Sequence, residues 1–467
     1  MFPVAIRTLG CRLNQIEGEA LADSFKKAGF DVAPWAAGID GAGIVVVNTC
    51  TVTSKADQKA RALIRKSLRQ NPGSCVIVTG CYAELDSPKI EALESECAGS
   101  APGARRLFAP APGGKGAGAT KSALLGLPEY IREKALRGSG LLEIMESWMA
   151  LGDGAGKGAF AFKPGEFTFH SRGYLKVQDG CDGGCAYCRA RIARGPAASL
   201  PARDALDALR SIEEKGCAEL TIAGVNITRY RHSGFDLARL IEYLLEGSGK
   251  IALRLSSLEP DGIDERLAAA LAHPRVRPHF HITAQSGSDG VLRKMGRPYE
   301  ARAVEEAAAL LRSAKGNPFL ACDIIAGFPG ESESDFALTA SLCGKIGFAW
   351  IHAFPYSPRP DTRAFSFGGR VPEREARRRV GILSDMAMRG RRDYAGTWLG
   401  RELCAVAEKS QPGGKRFRAV SENYLKLAVN CAGKPPSPGS PIRCVPIELC
   451  PGADGESPDA IANMANG

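Results

Sequence analysis

The stretch Gly173–Cys188, GYLKVQDGCDGGCAYC, decides the fold of the central part of the chain. It opens with a short apolar run, typical of a buried parallel strand, and ends in a glycine-rich loop that carries three cysteines. Similar runs recur at intervals of roughly 30–40 residues, with helix-like segments between them. The runs are Gly173–Val177, Glu219–Ala223, Ala252–Ser256, His279–Thr283, Leu320–Ile325 and Trp350–Phe354. This alternation predicts a partial (β/α)6 barrel whose first loop lies at the carboxyl mouth, where such barrels have their active sites.

The cysteine loop has the spacing of a metal site. Three residues separate Cys181 from Cys185, and two separate Cys185 from Cys188. Structural zinc sites normally combine two pairs of ligands, whereas this loop offers three thiols with no fourth Cys or His nearby. Three thiolates suit an iron–sulfur cube in which one iron stays free to bind a small ligand. A partial zinc site and buried packing cysteines are the alternatives.

The first part of the chain repeats one arrangement three times. An apolar run is closely followed by a cysteine: Val4–Thr8 by Cys11, Ile44–Val47 by Cys50, and Val76–Thr79 by Cys81. Helix-like segments lie between the runs, which predicts a parallel sheet with helical crossovers. The three cysteines then meet at the carboxyl edge of that sheet, where ligands bind in such folds. Each cysteine on its own is also a common buried packing residue.

Composition excludes several classes of protein. The chain has 467 residues, 44% hydrophobic and 24% charged, as in ordinary globular proteins. Its net charge of +10 permits a polyanionic partner without requiring one. No apolar run is long enough to cross a bilayer, and the N-terminus lacks the features of a secretory signal. With 15 cysteines and no export signal, we expect a protein of the reducing cytoplasm with no membrane partner.

The segments group into domains of an α/β protein. We predict an N-terminal parallel-sheet α/β domain over residues 1–137, a glycine-rich linker over 138–167, and the partial barrel over 168–395. Residues 396–467 contain short alternating runs split by Pro and Gly. That pattern predicts a small all-β barrel that ends in a frayed tail.

Taken in order, these segments resemble the methylthiotransferases of the radical S-adenosylmethionine superfamily over nearly the whole chain. The motifs include TLGCRLNQ, NTCTVTSKAD, GYLKVQDGCDGGCAYC, RLSSLEP, CDIIAGFPGESESDF and SENYLKLAV. The last is similar to the TRAM domain, a small RNA-binding β-barrel. Among the family's branches, the chain looks most like the enzymes that add a methylthio group to C2 of N6-threonylcarbamoyladenosine at position 37 of tRNA. The branches that modify a ribosomal-protein aspartate or isopentenyladenosine in tRNA are the alternatives.

The resemblance implies two 4Fe-4S clusters and S-adenosylmethionine as cofactors. The cluster that cleaves S-adenosylmethionine would be held by Cys181, Cys185 and Cys188, and the second cluster by Cys11, Cys50 and Cys81. No catalytic side chain is predicted beyond these ligands. The implied partners are the tRNA anticodon loop, an electron donor such as flavodoxin or ferredoxin, and a sulfur source. Because both clusters serve one substrate, the N-terminal sheet edge should pack over the barrel mouth.

Polar residues that end or follow the barrel strands, together with a tyrosine in the cysteine loop, are candidate S-adenosylmethionine contacts. They are Tyr187, Asn226, Ser256, Ser257, Glu259 and Gln285. Ordinary loop capping is the alternative for the short polar ones. His279 and His281 alternate along one strand and so share a face, where we expect hydrogen-bonded core histidines rather than catalytic ones.

Two stretches suggest RNA binding. Residues 370–392 carry eight Arg against three acids, which suits a phosphate-facing stripe. In the predicted β-barrel, basic and aromatic residues interleave in a way that suits base stacking: Lys415, Arg416, Phe417, Arg418 and Tyr424. A solvated charged face is the alternative for either stretch. A zinc-stabilised RNA-binding protein without catalysis is the alternative for the whole chain.

One segment departs from the family pattern. After Cys188 the family usually has an apolar run that ends in Pro, whereas this chain has Arg189-Ala-Arg-Ile-Ala-Arg-Gly195. The departure leaves every predicted cysteine ligand in place. It puts the shape of the substrate-facing loop in doubt.

Overall fold

The computed structural model describes residues 2–34, 41–70, 73–98, 106–109, 118–151, 158–408, 415–431, 433–452 and 455–465. The strands are β1 (Val4–Thr8), β2 (Val32–Pro34), β3 (Ile44–Thr49), β4 (Cys75–Gly80), β5 (Leu107–Phe108), β6 (Gly173–Lys176), β7 (Gln178–Asp179), β8 (Ala198–Ser199), β9 (Glu219–Ala223), β10 (Ala252–Leu255), β11 (His279–Gln285), β12 (Phe319–Ala326), β13 (Trp350–Pro355), β14 (Leu403–Ala407), β15 (Arg416–Ser421), β16 (Lys426–Asn430), β17 (Pro441–Leu449) and β18 (Ala460–Met464). The helices are α1 (Arg12–Lys27), α2 (Ser54–Gln70), α3 (Cys81–Ala98), α4 (Gly118–Ala123), α5 (Leu127–Leu136), α6 (Leu141–Ala150), α7 (Ala190–Arg194), α8 (Ala202–Glu214), α9 (Leu237–Gly247), α10 (Glu265–Leu271), α11 (Asp289–Met295), α12 (Ala301–Lys315), α13 (Glu333–Ile346) and α14 (Glu373–Gly396).

The N-terminal sheet is parallel throughout, with strand order β2-β1-β3-β4-β5. Its central strands β3 and β4 are buried along their whole length because helices cover both faces. Ile44 and Val46 pack into one hydrophobic core, and the alternating Val45 and Val47 pack into the core on the opposite face. The predicted parallel α/β domain is confirmed.

All six predicted barrel strands are present in the central part. They pair in parallel as β6-β9-β10 and β11-β12-β13, and backbone bridges connect β10 and its following loop to the β11 region. The outer strands are β6 and β13, so the barrel is partial, as predicted. The helices between these strands cover its outside, and their buried apolar residues join those of the strands in one large core.

The C-terminal part is a closed β-barrel of strand order β14-β15-β16-β18-β17. The prediction of a frayed tail is wrong for residues 460–464, which form β18 between β16 and β17. This strand is buried at Ala460 and Ala462 because it closes the barrel. Phe319 and Tyr394 from the central barrel share a hydrophobic core with Phe417, so the two barrels are packed together.

The boundary between the first two domains contains more structure than a linker. Helix α6 lies inside the range 138–167, and its Ile144 and Met145 are buried in the N-terminal core together with Phe162. The predicted domain limits therefore remain a prediction. Among the described residues, no helix combines the length and apolar character needed to span a bilayer.

Candidate active site

The N-terminal trio comprises Cys11, Cys50 and Cys81, and it lies at one edge of the first sheet. The strands β1, β3 and β4 are parallel neighbours. Cys50 and Cys81 directly follow β3 and β4, and Cys11 caps the start of α1 just beyond β1. Burial, and after it the neighbouring thiols of Cys11 and Cys81, raise the pKa of Cys50 to about 12. The three thiols therefore form one cluster at the predicted edge.

Gly10 makes room for this cluster. Its backbone has φ +99, and a Cβ placed on it would lie 2.7 Å from the sulfur of Cys50. A side chain at this position would meet both backbone strain and a collision with a predicted ligand. The close approach of the β1–α1 loop to Cys50 therefore requires glycine.

Asn14 ties the strand ends around the trio together. Its side chain is fully buried, and Nδ2 donates to the backbone oxygens of Leu9 and Thr49, both at 2.8 Å. Its Oδ1 lies 3.9 Å from Sγ of Cys81. Because a buried amide with satisfied hydrogen bonds holds its backbone partners firmly, Asn14 fixes the loop that carries Cys11.

Two cations stand beside the N-terminal trio. Nζ of Lys121 lies 3.9 Å from Sγ of Cys81, and the Arg194 side chain is only 4% exposed. Although burial lowers the pKa of Arg194, the negative charges of Cys81 and Glu17 raise it. Nearby positive charge favours the thiolate form of cysteine, which is the form that binds metal.

The loop trio follows β7 and comprises Cys181, Cys185 and Cys188. Backbone hydrogen bonds hold the loop, from Cys181 N to Gly195 O at 3.1 Å and from Ala186 N to Met295 O at 2.8 Å. Two of its sulfurs also accept hydrogen bonds. Gly183 N donates to Sγ of Cys181 at 3.3 Å, and Nη1 of Arg297 donates to Sγ of Cys185 at 3.0 Å. Such bonds stabilise thiolates and tune clusters bound to them.

Two of the predicted cofactor contacts lie beside the loop trio. Asn226 and Glu259 line a cavity of about 530 Å³ together with Cys181 and Cys185. Glu259 also pairs with Arg297, with Oε1 3.1 Å from Nη2. A polar cavity beside three thiols has room for a small ligand next to a metal cluster.

The other predicted contacts occupy different places. Ser256 and Ser257 line a second cavity inside the barrel, described below. Tyr187 packs edge-on against Phe328 with ring centroids 6.3 Å apart, so it covers the loop from the side. Gln285 ends β11 in a left-handed conformation, φ +67, which is uncommon for a residue with a side chain.

Helix α7 joins the two trios. It starts two residues after Cys188, and its five residues end at Arg194, beside the N-terminal trio. A helix of that length spans about 7 Å. Arg189, just before the helix, donates to Oγ1 of Thr51 at 3.1 Å and to Oδ2 of Asp86 at 2.5 Å. The N-terminal sheet edge thus packs against the barrel mouth as predicted, and the arginine-rich departure supplies the contacts.

The donor sets fit clusters better than single ions. Among the described residues, no three Cys, His, Asp or Glu side chains are arranged to hold one metal ion. Thiolates that bind different irons of one cluster stand further apart than ligands around a single zinc. Thiols on three adjacent strand ends, with buried cations beside them, suit a negatively charged cluster.

The second cavity, called the barrel cavity here, has a volume of about 550 Å³ and is lined by residues of all three parts of the chain. His279 and His281 both line it, so they share a face as predicted. Nδ1 of His281 lies 2.7 Å from Oγ of Ser257, and Nε2 lies 3.2 Å from Oδ1 of Asp323. Burial lowers the pKa of His279 well below its usual value, which keeps this ring neutral.

The predicted arginine stripe of residues 370–392 is exposed at six of its eight arginines, whereas Arg379 and Arg391 are buried. Arg379 pairs with Glu331 and Arg391 with the buried Asp459, while Arg377 and Arg378 form exposed ion pairs. Two of the arginines are thus structural, and a phosphate-facing role for the exposed ones stays a prediction.

The predicted base-stacking set of the C-terminal barrel needs a similar correction. Phe417 is in the hydrophobic core, since β15 places it on the inner face of the barrel. Tyr424 stacks on His279, with ring centroids 4.0 Å apart, and lines the barrel cavity. Neither ring stands among the surface basic residues, whereas Lys415, Arg416 and Arg418 are exposed.

Several residues of the site were not predicted from sequence. They are Arg12, Asn14, Arg194, Arg254 and Arg297. A signal existed for Arg254, a charged residue within the apolar run of β10, since buried charges are rare without a partner. Asn14 and Arg254 lie inside the motifs TLGCRLNQ and RLSSLEP, which carried the family resemblance, but most of their partners are far away in sequence.

Two family models match parts of this chain, and relatives match most of its length. Residues 175–343 match the family described as the radical SAM superfamily, and residues 3–99 match the uncharacterised protein family UPF0004. The threonylcarbamoyladenosine tRNA methylthiotransferase MtaB of Treponema pallidum is 39% identical over 95% of this chain and 98% of its own. That of Thermotoga maritima is 32% identical over 87% of each. A solved structure of the radical S-adenosylmethionine methyltransferase TsrM from Kitasatospora setae is 13% identical, with TM-score 0.49, covering 78% of this chain and 77% of its own.

The partial barrel and the matched superfamily define a radical S-adenosylmethionine enzyme. Its cofactors are two 4Fe-4S clusters and S-adenosylmethionine. At 39% identity over almost the entire length of a relative, the chain belongs to the family of threonylcarbamoyladenosine tRNA methylthiotransferases.

Proposed function

We propose that this enzyme adds a methylthio group to C2 of N6-threonylcarbamoyladenosine at position 37 of tRNA. The observation that carries the proposal is the pair of cysteine trios on either side of α7, with Arg194 reaching from the barrel loop to the N-terminal trio. Adenine C2 carries a C–H bond with no acid–base handle, so substitution there calls for radical chemistry. The names of the relatives at 39% and 32% identity support the same substrate.

The proposal assigns the six predicted cysteines as the ligands. Cys181, Cys185 and Cys188 would hold the cluster that contacts S-adenosylmethionine, and the N-terminal trio would hold the other. When bound, the clusters and S-adenosylmethionine supply the radical chemistry and the sulfur and methyl groups. The protein contributes thiolates, and it stabilises them with Arg297 on one side and with Lys121 and Arg194 on the other.

Asn226 and Glu259 are the best-supported contacts for S-adenosylmethionine, because they line the cavity beside Cys181 and Cys185. The backbone N of Asn226 is held by Oε1 of Gln178 at 2.8 Å, which fixes the loop after β9. Tyr187 and Gln285 flank this region and remain candidates. Ser256 and Ser257 line the barrel cavity and are candidates for either S-adenosylmethionine or the substrate.

The proposed partners follow from the reaction. The anticodon loop of tRNA is the substrate, and the modified base has to be splayed out of the loop to enter the site. The exposed Lys415, Arg416 and Arg418 of the C-terminal barrel are candidates for phosphate contacts. An electron donor such as flavodoxin or ferredoxin and a sulfur source complete the set. We place the enzyme in the cytoplasm, where tRNA is modified.

Nucleoside mass spectrometry of tRNA from cells without this protein tests the reaction and the substrate together. We expect 2-methylthio-N6-threonylcarbamoyladenosine to disappear and N6-threonylcarbamoyladenosine to accumulate. Wild-type protein should restore the modification, and the Cys185→Ala variant should not. Unchanged levels would overturn the proposal, and loss of 2-methylthio-isopentenyladenosine instead would assign the protein to another branch of the family.

A further inference from the structure

The barrel cavity contains polar groups that the protein itself leaves unpaired. Among the described residues, Nη1 of Arg254, Nδ1 of His279 and Oγ of Ser256 are buried without a hydrogen-bond partner. Arg254 is 2% exposed and His279 is 8% exposed. All three residues line the cavity of about 550 Å³. An unpaired buried polar group is costly, so three in one cavity indicate a polar ligand.

The pairing of Arg254 leaves one nitrogen for that ligand. Nε donates to Oε1 of Glu219 at 2.8 Å, and Nη2 donates to Oε2 of Glu219 at 3.1 Å and to the backbone oxygen of Ser421 at 3.2 Å. These bonds fix the orientation of the guanidinium. Nη1 is the one nitrogen of this group that the described residues leave without a partner.

The charge around the cavity favours an anion. Four cationic side chains line it: Arg12, Arg254, Arg391 and Lys426. Arg254 and Arg391 pair with Glu219 and Asp459, whereas Arg12 and Lys426 form no ion pair among the described residues. Glu219, the partner of Arg254, is shared with Arg172 and Arg277, which also pair with Glu408 and Glu422. The positive potential is strong enough that Arg12, above all, lowers the pKa of Tyr424 to about 8.

Two residues that line the cavity connect to the surroundings of the two trios. Arg12 is adjacent to Cys11 in the chain, and its Nη2 donates to the hydroxyl of Tyr424 at 3.0 Å at the cavity wall. On the opposite side, Ser257 is two residues from Glu259, which pairs with the Arg297 that donates to Cys185. The cavity is therefore connected to both trios through short chains of contacts.

We propose that the barrel cavity binds the carboxylate of the threonyl group on the substrate nucleoside, with Arg254 as its principal ligand and Ser256 and His279 as further contacts. This inference rests on the proposed function. It makes Arg254 a specificity-determining residue, because an apolar isopentenyl group in the same place would leave the buried guanidinium nitrogen unpaired. Two other sources of an anion share this chemistry: a backbone phosphate of the RNA and the carboxylate of S-adenosylmethionine.

The test compares two anticodon stem-loop RNAs that differ in one group. One carries threonylcarbamoyladenosine with its free carboxylate, and the other carries the threoninamide analogue. Dissociation constants from fluorescence anisotropy and KM values of the reconstituted holoenzyme are measured for both. We expect the wild type to prefer the carboxylate RNA by at least about tenfold, as for loss of a hydrogen bond to a buried charge.

Substitutions in the cavity test which residues produce this preference for the carboxylate RNA. Arg254→Gln should abolish the preference by weakening only the carboxylate RNA, and the exposed control Arg302→Gln should retain it. Because Arg254→Gln also disturbs the contact with Glu219, Ser256→Ala is the second variant. Oγ of Ser256 has no partner among the described residues, so its loss should reduce the preference without harming the fold.

Each alternative outcome has a distinct signature. If the wild type binds both RNAs equally, the inference is overturned. Equal weakening of both RNAs by Arg254→Gln would identify a phosphate contact, and a higher KM for S-adenosylmethionine alone would identify the cofactor carboxylate. If neither RNA is methylthiolated, the proposed function fails, while the ratio of dissociation constants still tests the carboxylate site.

Discussion

Nη2 of Arg194 donates a hydrogen bond of 2.8 Å to Oδ1 of Asn14, and this bond links α7, which follows Cys188, to α1, which follows Cys11. Nη1 of the same arginine donates to Oε1 of Glu17 and to Oδ1 of Asp179, both at 3.0 Å. One guanidinium therefore connects the two halves of the site. Its position fixes the spacing between the trios.

Replacing Arg194 by Met should loosen this connection. Glu17 and Asp179 would lose one shared partner and keep Lys176 as the other, so we expect a loss of about 1–3 kcal/mol. Urea unfolding measures the change in the free energy of unfolding. The matched control is Arg191→Met, an exposed arginine on the same short helix. Equal stabilities of the two variants would contradict the role given to Arg194.

Removing a single cysteine from either trio should halve the iron content of the protein. The wild type reconstituted without oxygen should bind about eight irons per chain, and Cys50→Ser and Cys185→Ser should each bind about four. Iron analysis with absorption spectroscopy measures this. Cys450→Ser, in the C-terminal part, is the control and should keep all of the iron. A Cys50→Ser protein with unchanged iron would remove the N-terminal trio from the site.

Glu219 should make the fold sensitive to acid. Burial alone would raise its pKa, but Arg254, Arg172 and Arg277 outweigh burial and lower the pKa to about 2, from 4.5. The ionised group therefore stabilises the fold fully above about pH 4.5, and this contribution is lost as the pH falls towards 2. The measurement is the free energy of unfolding against pH for the wild type and Glu219→Gln.

The two curves should differ most near neutral pH and converge between pH 4.5 and 2. Glu246→Gln, an exposed carboxyl on α9, serves as the control and should follow the wild type throughout. A constant difference between the wild type and Glu219→Gln at every pH would contradict the assignment.

Asp459 should hold the C-terminal barrel on α14. It pairs with Arg391 and accepts the backbone N–H of Lys426 at 2.7 Å, and all of these groups are largely removed from solvent. Asp459→Asn would leave the Arg391 charge buried and unpaired, at a cost of about 3–5 kcal/mol. Thermal unfolding should show a lower transition for the C-terminal part. The exposed pair of Glu402 and Arg443 is the control, because Glu402→Gln should cost less than about 1 kcal/mol.

Much of the fold was predictable from local pattern. Buried parallel strands are continuous apolar runs, so β9 was placed with its observed bounds and the other barrel strands within one or two residues. The strand β18 was not predicted, because its sequence AIANM contains only two large apolar residues and so gives a weak strand signal. It is stable only through its neighbours β16 and β17.

The site was predictable where its residues stand next to each other in the chain or end adjacent strands. Both cysteine trios were found in this way. Phe417 and Tyr424 were misinterpreted because an interleaved basic and aromatic pattern looks the same whether its rings face RNA or a core. The inward face of β15 and the position of His279 decide that question.

The sequence alone determined the α/β architecture, the positions of the cysteines at strand ends and the family, since each depends on periodicity or short spacing. Tertiary structure decided how the charges are used. It buried Arg189 and Arg194 between domains, and it left Nη1 of Arg254 unpaired in a cavity. The physical reason is that the role of a charged side chain depends on its ion-pair partners and its solvation, and here both come from segments far away along the chain.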